Sequence, residues 1–440
     1  MVASLKVGIA GLGTVGASVV RLIAQQCAVL GVRCGRKIEV VAATARKRKK
    51  RGPDLDRIRW VDNAKKLAAD PEIDVFVELM GGDGDPAKAA IETALANGKS
   101  VVTANKALLA KHGLALAALA EKNKVALNFE AAVGGVIPIV KTLREGMAGN
   151  SFARVYGILN GTCNYILTRM EREKLPFDVL LKDAQRLGYA EADPTFDIEG
   201  YDTAQKLAIV ASLAFGIRVD ERAINVEGIS SLSPEDLEAA DELGYRVKLL
   251  GVAMRTAKGI EQRVHPTMVP KDSAIAQVMG VTNALSIDAH GINPITLVGP
   301  GAGGAATAAS VVADIGDIAR GVRTAPFGRP TAKLVVSKKA PMQRHEGGYY
   351  IRLLAVDRPG TFATITKHLA AQKISLESIV QRHSDAAPHG GDDPKSPAKP
   401  APVILITYAT TEDAVRRALK AIKKQGVIAG HPQVIRIEKN

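Results

Sequence analysis

The sequence predicts an α/β protein: a doubly wound parallel sheet first, then an α+β unit with a mainly antiparallel sheet, and a small βαββαβ module at the end. Three observations carry this reading. Short apolar runs alternate with helical patterns through residues 5–129, as they do where helices cover both faces of a parallel sheet. Between residues 246 and 288 the runs alternate apolar with polar residues, as strands with one covered face do. From residue 349 a strand, a DRPG turn, a helix and further strands follow a stretch rich in proline and charge.

The chain has 440 residues, enough for two or three domains, and its 47% hydrophobic and 24% charged content is ordinary for a globular protein. The formal charge of +14 suggests an anionic partner, but only 4% of residues are aromatic and no RNA-binding or zinc-finger pattern occurs. A phosphate-bearing small ligand explains the charge at least as well as nucleic acid. Cys27, Cys34 and Cys163 form no CxxC pair and no disulfide framework, which fits a reducing compartment. The N-terminus runs straight into MVASLKVGIAGLG, and no apolar run approaches the ~18 to 20 residues of a membrane span. The expectation is a cytoplasmic protein with no membrane or nucleic-acid partner.

Residues 5–10 form an apolar run ending in Gly11-Leu-Gly13-Thr14-Val15-Gly16, after which Val19, Val20 and Ile23 recur at helical spacing. GxGxxG between a strand and a helix is the Rossmann-type dinucleotide turn. Gly11 permits the sharp bend, Gly13 lets a pyrophosphate approach and Gly16 lets helix and strand pack closely. The strand at 38–44 lacks the terminal acid that grips a ribose 2′-hydroxyl. Instead Arg46, Lys47, Arg48, Lys49, Lys50 and Arg51 follow it. That favours NADP(H) over NAD(H), with Arg46 and Lys47 on the 2′-phosphate. A solvated basic loop and a nucleic-acid patch are the alternatives.

Strands at 73–79 and 100–103, with a helix at 86–97 between them, extend the sheet and bring Glu78, Thr103, Asn105 and Lys106 to its ligand-facing edge. Lys106 is either an anion contact or a surface lysine at a helix start. A helix at 114–122 and a strand at 125–129 lead into Glu130-Ala-Ala-Val133-Gly-Gly135-Val-Ile137, a loop too glycine-rich to be ordinary, to which the residues alone assign no job.

The second unit opens with a strand at 155–159, then Asn160-Gly-Thr162-Cys163 and a helix through Met170, a junction suited to a small polar substrate. Cys163 is either a thiol nucleophile or a packing residue, and packing is favoured because no histidine lies near it in sequence. The stretch 188–206, GYAEADPTFDIEGYDTAQK, sets Glu191, Asp193, Asp197, Glu199 and Asp202 ahead of Lys206. Asp202 and Lys206 are four apart, so a helix there places them on one face, as a site or as a surface ion pair. Strands at 246–254, 260–269 and 284–288 follow. Val298-Gly-Pro-Gly-Ala-Gly303-Gly304 then opens a small-residue helix at 305–319 that returns to the nucleotide unit. The divisions are 1–150 for nucleotide binding, completed by 300–322; 151–299 for substrate and dimerisation; a linker at 323–345; and 346–440 for the terminal module, within which 383–400 is a long flexible hairpin loop.

Taken together, GLGTVG, TANK at 103–106, EAAVGGVIPI from Glu130, NGTCNYIL from Asn160, the 188–206 stretch and VGPGAGG resemble homoserine dehydrogenase. VDRPGTFATI resembles the signature of the ACT domain that ends the family's longer form. The resemblance implies NAD(P)-dependent interconversion of aspartate 4-semialdehyde and homoserine, on the route to threonine and methionine. It implies Lys206 as acid/base, Asp202 and Glu191 as substrate carboxylates with Gly188, Asn160 and Thr162 beside them, and Thr103, Lys106 and Gly303 on the cofactor side. It further implies a sodium ion at Glu130, Val133, Gly135 and Ile137 and threonine as effector at the ACT module, while edge strands in the second sheet suggest a homodimer or homotetramer. Another semialdehyde or amino-acid dehydrogenase, and a non-catalytic sensor of NADP and amino acids, are the competing readings.

Overall fold

A computed structural model of the chain describes residues 3–46, 58–337, 346–356, 358–381 and 400–438. The first sheet comprises β1 (Leu5–Ala10), β2 (Ile38–Thr44), β3 (Arg59–Trp60), β4 (Val75–Glu78), β5 (Ser100–Thr103) and β6 (Leu127–Asn128). Its order is β3-β2-β1-β4-β5-β6, and every pairing is parallel. The strands carry almost continuous apolar runs because both faces are covered: Val7, Ile9, Phe76 and Val77 are all fully buried. Ala10 lies opposite both Thr44 and Glu78, and Glu78 opposite Thr103. Four strands therefore end in line and deliver Gly11, Ala45, Leu79 and Ala104 to one edge. The strand order reverses between β1 and β4, where a crevice opens in this topology.

The second sheet contains β7 (Phe152–Ile158), β8 (Asn225–Val226), β9 (Tyr245–Thr256), β10 (Gly259–Pro270), β11 (Thr282–Ala289) and β12 (Ile295–Pro300). It continues through β13 (Glu346–Val356), β14 (Leu376–Gln381), β15 (Pro400–Thr407), the short β16 (Thr410–Thr411) and β17 (Ile428–Ile437). Its main order is β12-β11-β7-β9-β10-β17-β13-β15-β14. The pairings are antiparallel except β10 with β8 and β10 with β17. Strands β13, β14, β15 and β17, with helices Thr361–Ala371 and Glu412–Lys424, have the expected βαββαβ connectivity.

Thr267 and Met268 of β10 pair with Arg436 and Ile437 of β17, so the C-terminal module continues the second sheet. The structure corrects the sequence reading in two places. The expected linker is a packed strap over its described part, 323–337. Phe327 is fully buried with its ring 5.2 Å from Phe129, and Leu334 is buried. Its proline and charge content conceals two apolar anchors, each contributing roughly 1.5–3 kcal/mol. The first residues of the expected glycine turn, 298–300, belong instead to β12 along the sheet edge, and the turn before helix Gly304–Ala319 is confined to 301–303.

Helix Tyr201–Phe215 runs through the middle of the molecule, and most of its residues are buried, Leu207 and Ile209 through Ala211 fully. Helix Gly304–Ala319 returns to the first sheet as expected: a Cβ on Gly304 would lie 2.8 Å from Thr14 Cγ2 and 2.9 Å from Ser18 Oγ, so only glycine allows this approach to helix Thr14–Gln25. Among the described residues no single helix is long and apolar enough to cross a membrane.

Candidate functional site

At the carboxyl edge of the first sheet lies a cavity of about 940 Å³ whose lining includes Gly11, Gly13, Arg46, Asp62, Leu79 and Gly82. Gly11 takes a φ of 104°, open to glycine, and a Cβ on it would strike the Leu79 backbone. A Cβ on Gly16 would strike the Gly11 carbonyl, so Gly16 packs the helix onto the turn. A Cβ on Gly13 would meet nothing within 4 Å. Thr14 and Val15 begin the helix, whose first N–H groups and dipole favour an anion. A dinucleotide fits these features, with Arg46 at the cavity wall beyond β2. Lys47 to Arg51 lie outside the described residues.

The far wall is held by a buried acid. Glu78 accepts from Thr103 Oγ1 at 2.7 Å and from the Met80 and Gly81 N–H groups at 2.7 and 3.1 Å. Burial raises its pKa, against these hydrogen bonds. Thr103 Oγ1 also accepts from Asn105 N–H, while Asn105 caps helix Lys106–Asn123 and donates to the Gly82 carbonyl at 2.7 Å. Thr103 thus shapes the loop by gripping Glu78, and the cap fixes where Lys106 emerges.

Lys106 Nζ stands 3.3 Å from Asp202 Oδ1, and Lys206 donates to Asp202 Oδ2 at 2.8 Å and to the Leu159 carbonyl at 2.7 Å. Asn160 donates through Nδ2 to Asp202 at 2.9 Å and to Asp197 at 2.8 Å, and its Oδ1 caps helix Gly161–Glu173. Asp202 is buried. Burial opposes its ionisation, but the Lys206 and Lys106 ammonium groups outweigh that and lower its pKa to about 2. Asp197 moves upward, through burial first and the Asp202 charge second. The cluster is a carboxylate whose charge is stabilised between two ammonium groups, one of them fixed from two sides.

Other expected residues sit less centrally. Thr162 donates to the Tyr189 carbonyl at 2.6 Å and ties down the loop that starts at Gly188, whose φ is 78°. Glu191 is exposed on that loop, and its carboxylate makes no hydrogen bond or ion pair among the described residues. The structure does not bring it to Asp202. Gly303 caps helix Gly304–Ala319 at a φ of 107°. Cys163 is fully buried, donates to the Asp197 carbonyl at 3.2 Å, and burial holds its thiol well above the ordinary range. It is a packing residue. The Leu159 carbonyl has no sequence signal; Asn105 had one, as a capping residue at a helix start.

The glycine-rich loop is buried. Glu130 accepts the Val140 and Lys141 N–H groups, each at 2.8 Å, and its own N–H donates to Asp314 Oδ2 at 2.9 Å. The Gly135 carbonyl accepts from Ser310 at 2.7 Å and the Ile137 carbonyl from Ile139 at 2.8 Å, each with a second lone pair left. Asp314 is fully buried, and its Oδ1 accepts no hydrogen bond among the described residues. Hard oxygen donors beside an unpartnered buried carboxylate oxygen suit an alkali or alkaline-earth cation.

The family model for homoserine dehydrogenase matches residues 138–315, and that for "Homoserine dehydrogenase, NAD binding domain" matches 11–130. Homoserine dehydrogenase of Neisseria gonorrhoeae is 40% identical over 440 residues, covering 99% of this chain and 98% of its own. The crystal structure of a homoserine dehydrogenase from Thiobacillus denitrificans superposes with a TM-score of 0.91 at 41% identity, covering 99% of this chain and 98% of that one. A hyperthermophilic archaeal homoserine dehydrogenase, solved in complex with NADPH, gives 0.60 at 26% identity over 71% of this chain and 97% of its own. With both halves of the site built on matched segments and the likeness running end to end, this chain belongs to the homoserine dehydrogenase family.

Proposed function

We propose that the protein interconverts L-aspartate 4-semialdehyde and L-homoserine with NADP(H) as preferred cofactor, NAD(H) serving less well, and Lys206 as the proton donor and acceptor. The observation that carries this is the placement of Lys206, held between Asp202 and the Leu159 carbonyl and connected through Lys106 and Asn105 to the loop that walls the nucleotide cavity.

Gly11, Gly13, Thr14, Val15 and Gly16 would hold the pyrophosphate, Arg46 and Lys47 the 2′-phosphate, and Thr103, Lys106 and Gly303 the remainder. When bound, the dinucleotide supplies or accepts the hydride. Lys206 faces the oxygen that gains charge as the aldehyde is reduced, stabilises that charge and donates the proton. Asp202 keeps the ammonium aimed, because it stays ionised throughout the working pH range. Asp202 and Glu191 anchor the substrate's ammonium and hydroxyl, Glu191 from the exposed loop, with Gly188, Asn160 and Thr162 shaping the pocket. Buried, unactivated Cys163 speaks against a thiol-dependent aldehyde oxidation.

A sodium ion at Glu130, Val133, Gly135 and Ile137 would brace the junction between the loop and helix Gly304–Ala319, supported by the oxygen-rich, buried surroundings. The C-terminal module serves as an ACT domain that takes an amino-acid effector such as threonine, supported by its βαββαβ topology. The edge strand β12, with Val298 54% exposed, supports self-association as a homodimer or homotetramer. The enzyme works in the cytoplasm.

One assay tests these parts together: oxidation of NADPH and of NADH with aspartate 4-semialdehyde, with and without threonine. Turnover with NADPH is expected to exceed that with NADH, and no turnover with either sinks the activity.

A further inference from the structure

Helix Lys106–Asn123 belongs to the nucleotide unit and helix Tyr201–Phe215 to the substrate unit, and the two pack side by side. Their first turns meet at the Lys106–Asp202 ion pair, beside Lys206. At 1.5 Å per residue, Lys106 to Glu121 spans about 22 Å of one helix and Asp202 to Gly216 about 21 Å of the other. Both helices therefore end at nearly the same level, and the strap 323–337 crosses there.

The strap grips each helix end. Thr331 donates through its N–H to both carboxylate oxygens of Glu121, at 2.9 and 3.1 Å, and through its hydroxyl at 2.7 Å. The Phe327 ring covers Gly113, where a Cβ would lie 3.1 Å from it, and Arg323 donates to the Lys124 carbonyl just past the same helix. On the other helix, the Arg329 guanidinium lies against Gly216, the residue that ends it at a φ of 68°; a Cβ there would come within 2.6 Å of the guanidinium. Val335 N–H then donates to the Gly216 carbonyl at 3.1 Å, and the Val335 carbonyl accepts from Arg218 N–H at 2.8 Å. One short segment thus ties together two units whose helices lie far apart in sequence.

Two packed helices joined at one end by an ion pair and at the other by a strap form a closed frame. A helix is stiff over this length, so slack at the strapped end is passed to the end that carries the lysines. We propose that residues 323–337 position the reacting groups: by fixing Glu121 against Gly216, the strap keeps Lys106 on Asp202 and so sets the aim of Lys206. Thr331, its acceptor Glu121 and Arg329 act through the helices and touch neither substrate nor cofactor. The inference rests on the reading of Lys206 as proton donor, and it adds a control on that group from the opposite end of its helix. The leverage is large, since a misplacement of about 1 Å at a reacting group costs up to roughly 10²-fold in rate.

The test is steady-state kinetics on the full chain, paired with NADPH fluorescence titration and thermal melting. Glu121 is half-buried near the end of its helix and alanine is the best helix former, so Glu121→Ala keeps the fold. It is expected to lower kcat roughly 10-fold, and Thr331→Val roughly 3-fold, with NADPH affinity unchanged because Gly11 to Gly16 and Arg46 all belong to the nucleotide unit. Thr331→Ser keeps the hydroxyl and is expected to turn over as wild type does. A double-mutant cycle with Lys106→Met separates positioning from mere packing. Acting through Lys106, Glu121→Ala adds less than about 2-fold to the loss in Lys106→Met, whereas an independent effect multiplies with it. Wild-type kcat in both Glu121→Ala and Thr331→Val, or a fully multiplicative loss in the cycle, overturns the strap's role while Lys206 keeps its own. Normal turnover in Lys206→Ala overturns the reading beneath it.

Discussion

Lys106 opens one helix and Asp202 sits in the first turn of another, and their charged ends meet at 3.3 Å across the junction of the nucleotide and substrate units. The contact makes Asp202 a shared counter-ion rather than half of an isolated pair, since Lys206 holds its other oxygen. An exposed i,i+4 pair contributes a few tenths of a kcal/mol, but this one is buried and joined from a second unit, so breaking it strands charge.

Replacing Lys206 by alanine removes the proposed proton donor. The expected loss in kcat is ~10² to 10⁴-fold, with NADPH affinity retained in a fluorescence titration. Near-normal turnover in Lys206→Ala would refute the assignment.

Asp202→Asn leaves two ammonium groups without their carboxylate. The folded pKa of about 2 is depressed below the unfolded value, so ionised Asp202 contributes stability that is present above pH ~4 and lost as the pH falls toward 2. The contribution is about 2 kcal/mol. Urea melts of wild type and variant are therefore expected to differ most at pH 7 and to converge near pH 2; a gap unchanged with pH is the contrary result.

Iodoacetamide is expected to leave most of the activity intact, because Cys163 is fully buried and its thiol is held protonated. Mass spectrometry of the labelled native protein identifies the modified cysteines. Modification of Cys163 in step with activity loss argues for the thiol chemistry set aside above.

Arg46→Ala is expected to raise the KM for NADPH roughly 10-fold or more and that for NADH little, since a charge-assisted contact to the 2′-phosphate exists only for the former. Equal effects on the two cofactors count against Arg46 as the 2′-phosphate contact.

Two glycines of one turn separate cofactor binding from folding. Gly13→Ala adds a methyl group into open space, so melting temperature is expected to hold while NADPH affinity falls. Gly16→Ala drives a methyl group into the Gly11 carbonyl and is expected to cost about 1–3 kcal/mol of stability. Identical melting behaviour in the two variants contradicts this division.

Local pattern was enough for the first sheet apart from the two-residue β3 (Arg59–Trp60), because buried parallel strands must be continuous apolar runs and the GxGxxG turn has a backbone requirement that shows as glycine. The same logic exposed Asp202 and Lys206, whose spacing on a helix is a local fact. It missed the strap at 323–337, where two buried side chains, Phe327 and Leu334, are diluted among prolines and charges. It missed β12 because glycines masked an edge strand that needs a partner in β11 to form.

The amino-acid sequence by itself determined most of the longer strands and helices, where the dinucleotide turn lies, and which acids and lysines crowd the 188–206 stretch. These follow from periodicity and from backbone freedom within a few residues. Tertiary structure decided which of those groups meet. It brought Lys106 to Asp202, set the Leu159 carbonyl behind Lys206, left Glu191 outside on its loop, and fused β17 to β10. Each of those contacts joins residues distant in the chain, and their energies depend on burial and charge that exist only once the chain has closed.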